Sequence, residues 1–277
     1  MKKVLITDLD GTLIYSKNDF KMISKENVKM LKDYYEAGGR IVISTSRNAN
    51  FSYSVEHKLG FRCDYVCNDG AYIELDGKTL SEHFISSQLV NDIKEEVNKN
   101  CFQYVVILNS KGNFLAANVN GANFLTDIIL KFIRLFKRKI NHEKIYFSNK
   151  YFRAVLDSEK IYSLHIYFLE KENVSIIADV LRRKFGDQVE LFVTDRGIEV
   201  TAKGITKASG VKQILAKLKI DEKDAIVVGD SGNDVPMFEA FTNTFGMQNG
   251  KEEAIKKASN IINGFHELKP YLYEDEK

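Results

Sequence analysis

The stretch Val4-Leu5-Ile6-Thr7-Asp8-Leu9-Asp10-Gly11-Thr12 decides how the rest of the chain is read. Its apolar residues run without alternation, as in a strand buried on both faces of a parallel sheet. Asp8 and Asp10 follow at i and i+2, so in extended chain they point to the same side. Gly11 permits a sharp exit from the strand. Open parallel sheets bind ligands at the rim beyond the carboxyl ends of their strands, and both carboxylates are expected there. Like charges this close repel unless a cation lies between them or one keeps a proton. Taken alone, the pair is more simply read as a solvated turn.

The same delivery recurs along the chain. Ile41-Val42-Ile43 runs into Ser44-Thr45-Ser46-Arg47, which ends a strand with hydroxyls and a cation. Tyr65-Val66-Cys67 is a third such run, and Ala225-Ile226-Val227-Val228 ends in Gly229-Asp230-Ser231-Gly232-Asn233-Asp234. Helical patterns lie between them. Ser24 is placed to cap a helix carrying Val28, Leu31 and Tyr35, with Gly38-Gly39 as its stop. Val211, Ile214, Leu215 and Leu218 mark another, beginning near Lys207. A third begins near Asn233 or Asp234, with its N-terminal amides turned to the rim. Strand, helix, strand in succession predicts an α/β fold, a doubly wound and mostly parallel sheet. Hard oxygen ligands delivered by separate strands suit Mg²⁺. Lys207 by itself is read as surface charge.

The middle of the chain reads differently, and the expected organisation is a core of residues 1–83 and 196–277 with an inserted α+β domain at 84–195. Phe102–Leu108 and Phe114–Ala117 flank the turn-rich Asn109-Ser110-Lys111-Gly112-Asn113. Tyr151–Leu156 and Leu164–Leu169 read as further strands, followed by a helix over Asn173–Phe185. Arg153, His165 and Tyr167 on these segments are candidates to line a pocket, with ordinary packing or exposure as the plainer alternative. Lys131, Arg134, Lys137, Arg138 and Lys139 alternate with Ile128, Ile129, Phe132, Ile133, Leu135 and Phe136 at helical intervals. The simpler reading is an amphipathic helix with a solvated basic face; the other is a surface for an anionic substrate or partner.

Composition narrows the function classes. The 277 residues suffice for two domains or one large one, and 44% hydrophobic with 28% charged residues is ordinary for a globular chain. With 40 basic and 38 acidic residues the net charge is +2, which gives no global field toward nucleic acid or anionic lipid. Cys63, Cys67 and Cys101 form no zinc spacing and no disulfide framework, so buried free thiols are expected. No apolar stretch reaches the ~20 residues of a membrane span, and Asp8 and Asp10 interrupt the N-terminal run before it makes a signal-peptide core. A cytoplasmic protein with no nucleic-acid or membrane partner is the expectation.

Together these pieces resemble the haloacid dehalogenase (HAD) superfamily. Asp8-Leu9-Asp10-Gly11-Thr12 matches its DxDGT motif, and Thr45 its Ser or Thr at a strand end. Lys207 matches its lysine, and Gly229-Asp230-Ser231-Gly232-Asn233-Asp234 its GDxxND motif. The insert looks like a type IIB cap. Asn68-Asp69-Gly70-Ala71 and Met247-Gln248-Asn249-Gly250 are similar to flanking features of the Cof-like sugar-phosphate phosphatases. The resemblance implies a Rossmann-like core and hydrolysis of a small phosphorylated metabolite, most directly a sugar phosphate, through an aspartyl-phosphate. It implies Asp8 as nucleophile and Asp10 as general acid and base. Mg²⁺ would be held by Asp8, the Asp10 main-chain carbonyl and Asp230, with Asp234 either a ligand or a support. Thr45, the Ser46 backbone, Lys207 and Asn233 would bind phosphate, and Arg47 and Arg153 would bear on substrate choice. A phosphomutase, a dehalogenase and a non-catalytic phosphate sensor share parts of this pattern. The chain departs from the branch at Ser46, where glycine is usual, at Asp69, which is inserted, and at Gly250, where alanine is usual.

Overall fold

In the computed structural model Val4–Thr7 form strand β1, and all four residues are buried. The structure describes residues 4–14, 23–101, 103–111, 114–120, 145–147, 149–158, 160–195 and 197–273. The basic segment at 128–139 and the turn residues Gly112 and Asn113 lie outside them. Helix α1 (Lys25–Glu36), β2 (Arg40–Ser44), α2 (Ser52–Leu59), β3 (Asp64–Cys67), β4 (Tyr72–Leu75) and β5 (Lys78–Glu82) follow. Next come α3 (Ser87–Asn100), β6 (Tyr104–Ser110), β7 (Phe114–Asn120), β8 (Ile145–Phe147) and α4 (Asn149–Asp157). After them come β9 (Ile161–Phe168), α5 (Glu172–Phe185), β10 (Val189–Val193) and β11 (Gly197–Ala202). The chain closes with α6 (Lys207–Leu218), β12 (Ala225–Gly229), α7 (Val235–Ala240), β13 (Thr244–Met247), α8 (Glu252–Lys257), β14 (Asn260–Ile262) and α9 (Lys269–Leu272).

The chain divides into two units, Met1–Ser81 with Thr206–Lys277, and Glu82–Ile205. The first holds an eight-stranded sheet in the order β14-β13-β12-β1-β2-β3-β4-β5. Its strands are parallel from β14 to β3, and β4 pairs antiparallel to β3. Successive residues of the buried strands feed opposite faces, and each face has its own helices. Leu5, Ile43, Tyr65 and Val228 pack with Leu31 and Tyr34 of α1 and Val55 of α2. Val4, Ile6, Val42 and Val227 pack with Val211, Ile214 and Leu215 of α6 and Phe238 of α7. That two-sided burial is why these strands carry no polar alternation.

The second unit is a six-stranded sheet, β10-β11-β9-β6-β7-β8, antiparallel except between β7 and β8. Val106, Leu108, Leu164, Ile166, Ile198 and Val200 pack on Ile93 and Val97 of α3 and Ile177 and Leu181 of α5. His165 and Ser163 on β9 point to the other face with Asn109 of β6, whose amide donates to Ser163 Oγ at 2.8 Å.

Four expectations change. Tyr151–Leu156 is helical, part of α4, because Phe152, Val155 and Leu156 repeat at i, i+3, i+4 and join the second core. Arg153 therefore sits exposed on a helix and not on a strand. The second unit runs on past 195, because β11 pairs between β10 and β9. Asp76-Gly77 joins β4 to β5 as a turn with both residues at positive φ, a hairpin signal that the sequence reading passed over. On α1, Ser24 caps by accepting from the Asn27 amide, but Tyr34 is the buried aromatic and Tyr35 is exposed, stacked on Phe61. The three cysteines are buried free thiols as expected. No helix among the described residues is long and apolar enough to cross a membrane.

Leu5 is fully buried at the centre of the first unit. Leu5→Ala should cost about 2–5 kcal/mol through lost burial and the cavity left behind. Urea unfolding followed by far-UV circular dichroism checks this; an unchanged midpoint would show that the first core does not depend on β1.

Candidate active site

β12, β1, β2 and β3 are neighbours in the sheet, so the residues just beyond their carboxyl ends share one stretch of rim. Asp230, Asp8, Thr45 and Asn68 stand there, and Lys207 opens α6. The join is tight: the Asp8 amide donates to the Val228 carbonyl at 2.9 Å, and the Thr45 amide to Val66 at 2.8 Å. Lys207 is held at its helix start by a capping box, in which the Thr206 hydroxyl accepts from the Ser209 amide and the Ser209 hydroxyl from the Thr206 amide.

Lys207 is fully buried, which a lysine rarely tolerates unless its charge is met. Its Nζ donates to Asp8 Oδ1 at 2.7 Å, to Asp234 Oδ1 at 2.7 Å and to Asn233 Oδ1 at 3.2 Å. Three N–H groups thus meet three acceptors. Burial alone would pull the ammonium's pKa down, but the charges of Asp234 and Asp8 carry it well above the usual lysine value. The reading of Lys207 as surface charge fails, because its partners lie far off in sequence.

Asp8, Asp230 and Asp234 each bring a carboxylate oxygen within 4.8 Å of the others. Burial raises Asp8 well above the usual aspartate range, and burial with the Asp234 charge pushes Asp230 up to about 6. A crowded, oxygen-only set of this kind fits a hard divalent cation. Gly11, at φ +95°, makes the approach possible: a Cβ there would sit 2.4 Å from Asp230 Oδ2. Thr12 Oγ1 donates to Asp230 Oδ1 at 3.0 Å, a contact that sequence reasoning missed. Asp234 is fully engaged. Its Oδ1 accepts from Lys207, and its Oδ2 accepts from the Asp230 amide at 2.9 Å and the Ser231 amide at 3.1 Å.

The remaining candidates are placed as follows. Asp10 is not in the acidic cluster; it is exposed, and both its oxygens accept from Arg47, with Nε to Oδ2 at 2.6 Å. Arg47, expected to bear on substrate choice, forks onto Asp10 and lies over the Phe51 ring. Thr45 is buried, with its hydroxyl accepting from the Arg47 amide at 3.2 Å, and Ser46 is half-buried beside it. Asn233 donates from Nδ2 to Asp69 Oδ1 at 3.0 Å, and its Oδ1 accepts from Lys207 at 3.2 Å. Asp69 is the buried group at this rim that the sequence reading marked only as a departure. Arg153 belongs to the other unit.

The sequence profile of haloacid dehalogenase-like hydrolases matches residues 5–267. The chain belongs to this family. Phosphatase YwpJ of Bacillus subtilis is 24% identical over 95% of this chain and 96% of that protein. The phosphoglycolate phosphatase of Pyrobaculum neutrophilum is 38% identical, but over 28% of this chain and only 33%, one third, of its own length. Among solved structures, the HAD subclass IIB sugar phosphatase BT4131 shares the fold with a TM-score of 0.75 at 18% identity, covering 97% of this chain and 98% of that one. The HAD core thus corresponds to the parallel sheet, and the cap to the antiparallel one.

The raised carboxyls of this HAD site link stability to pH. An acid whose folded pKa is raised contributes stability that is complete below its unfolded value and lost as pH rises through the folded one. For Asp230 that window runs from about 3.8 to about 6. In chelator, the melting temperature of the parent should fall with pH across this window more steeply than that of Asp230→Asn. Coincident slopes in thermal melts would show that the cluster is not strained by its own charge.

Proposed function

We propose that this HAD hydrolase is a Mg²⁺-dependent phosphatase acting on a small phosphorylated metabolite, with a sugar phosphate as the first class to test. The observation that carries the reading is the division of labour between two aspartates two residues apart. Asp8 is buried and pinned by Lys207, while Asp10 is exposed and held by Arg47. A nucleophile must be fixed and desolvated; an acid that trades protons with a leaving group and with water must reach both.

In the first half-reaction an Asp8 oxygen attacks phosphorus and the bond from phosphorus to the leaving oxygen breaks. Asp10 gives its proton to that oxygen. In the second, Asp10 takes a proton from a water that attacks the aspartyl-phosphate, and the phosphorus–Asp8 bond breaks to release inorganic phosphate. Asp8, Asp230 and the Asp10 main-chain carbonyl are assigned to Mg²⁺, which when bound screens charge between the phosphoryl oxygens and the carboxylate. Asp234, with both oxygens engaged by protein donors, is assigned to orient Lys207 and the Asp230 loop. Thr45, the Ser46 amide and Lys207 are assigned to the phosphoryl oxygens. Recognition of the leaving group is assigned to the cap, since none of these residues falls within 82–205. The reading places the activity in the cytoplasm.

The test is phosphate release with Mg²⁺ over sugar phosphates, nucleotides and flavin mononucleotide; net release also separates hydrolysis from phosphoryl return to a sugar. Asp8→Asn should lower turnover by about three orders of magnitude or more, roughly 4 kcal/mol of transition-state stabilisation, with folding intact. Turnover near the parent's would refute the covalent route. Asp230→Ala should lose activity and Mg²⁺ dependence together; activity unchanged by excess chelator would refute the metal assignment. Arg47→Ala should slow hydrolysis of an alkyl phosphate more than that of an activated aryl phosphate, whose leaving group needs less protonation. Equal losses on both would show that Arg47 does not serve Asp10.

A further inference from the structure

Asp69 is a buried carboxylate that the chemistry above leaves without a task. It follows β3 in a turn where its own backbone is left-handed, at φ 53° and ψ 32°, and its amide donates to the Thr45 carbonyl at 3.1 Å. The turn is keyed to the start of α6: a Cβ on Gly70 would sit 2.2 Å from the Thr206 carbonyl oxygen. From there Asp69 Oδ1 accepts from Asn233 Nδ2 at 3.0 Å. The other end of that amide, Oδ1, accepts from Lys207 Nζ at 3.2 Å and from Ser231 Oγ at 2.7 Å.

The chemistry of the neighbours dictates which way this amide faces. An ammonium only donates, so Lys207 requires the oxygen. A carboxylate only accepts, so Asp69 requires the NH₂. Both conditions select one rotation of Asn233. A half-turn would set NH₂ against ammonium and oxygen against carboxylate. We infer that Asp69 is a positioning residue: it fixes the rotation of the Asn233 amide and through it aims Lys207 at Asp8. This rests on the phosphatase reading of the same site.

The mechanism makes a specific claim about coupling, which a double-mutant cycle reads. The activity measured is phosphate release from the best substrate of the panel. Asp69→Ala should lower kcat by about tenfold to thirtyfold while KM stays within about threefold. In an Asn233→Ala background the same change should alter kcat by less than about twofold, since the group it acts through is gone. Asp69→Asn keeps an oxygen for Asn233 and should bring kcat back to within about threefold of the parent. If alanine at this left-handed position does not fold, Asp69→Gly takes its place, because glycine accepts that backbone. Equal losses with and without Asn233, a loss carried by KM, or failure of Asp69→Asn to rescue would each overturn the inference. Crystal structures of the parent and Asp69→Gly test it without any activity. The Asn233 Oδ1 to Lys207 Nζ contact, 3.2 Å in the parent, should open beyond hydrogen-bonding distance. A parent that releases phosphate from no substrate refutes the phosphatase reading; an unopened contact in Asp69→Gly refutes this one.

Discussion

A lysine ammonium buried without solvent must find acceptors for all three of its protons, and the first unit is arranged around that demand. Lys207 takes them from Asp8 at the end of β1 and from Asp234 and Asn233 beyond β12. One charge thereby ties three separate segments. An ion pair of this kind is a poor source of stability, since both partners lose their hydration. Its value is in fixing geometry, because the acceptors of one ammonium come from two segments other than its own. Charge balance then points outward. Three carboxylates against one ammonium leave two negative charges in a cluster whose oxygens lie within 4.8 Å. A divalent cation is one group that would neutralise them.

The parallel sheet provides what the ammonium needs. Thr7 lies opposite Ile43 on one side and Val228 on the other, so the strands end in step. Residues that follow them meet at the rim without long loops. Gly11 and Thr12 then bring the chain past Asp230 at close range, one by having no side chain and the other by a hydrogen bond. Two apolar cores, one on each face, hold the strands while the rim stays polar.

What could be read beforehand follows from the range of each interaction. The buried strands were legible because burial on both faces leaves continuous apolar runs, as at Val4–Ile6 and Ala225–Val228. The residues of the site were legible because a strand end followed by glycine and acids is local. Their partnerships were not. Lys207 and Asp8 are 199 positions apart, and nothing near Lys207 announces a buried charge. Arg47 reaches Asp10 across 37 positions, so its pairing with the second aspartate was hidden too. In the second unit β6 and β9 are largely buried and pair at long range, and a short amphipathic helix such as Asn149–Asp157 gives apolar spacings close to those of a strand. The extent of that unit was misjudged for the same reason: β11 earns its place only by pairing with β9 and β10.

The contrast between Asp8 and Asp10 shows how one local motif yields two unlike groups. Both belong to one short motif, Asp8-Leu9-Asp10, and carry the same side chain. The fold separates them. Asp8 ends a central strand, so its backbone is locked to Val228 and its side chain is enclosed with Lys207. Asp10 lies two residues farther, after the chain has left the sheet, and its partner Arg47 comes from the loop beyond β2. A guanidinium fork suits that position, because it grips both carboxylate oxygens and so fixes the plane of a group that solvent reaches. Distance from the last ladder hydrogen bond thus sets environment, and on the function proposed above environment would set role: the enclosed carboxylate as nucleophile, the exposed one as acid and base.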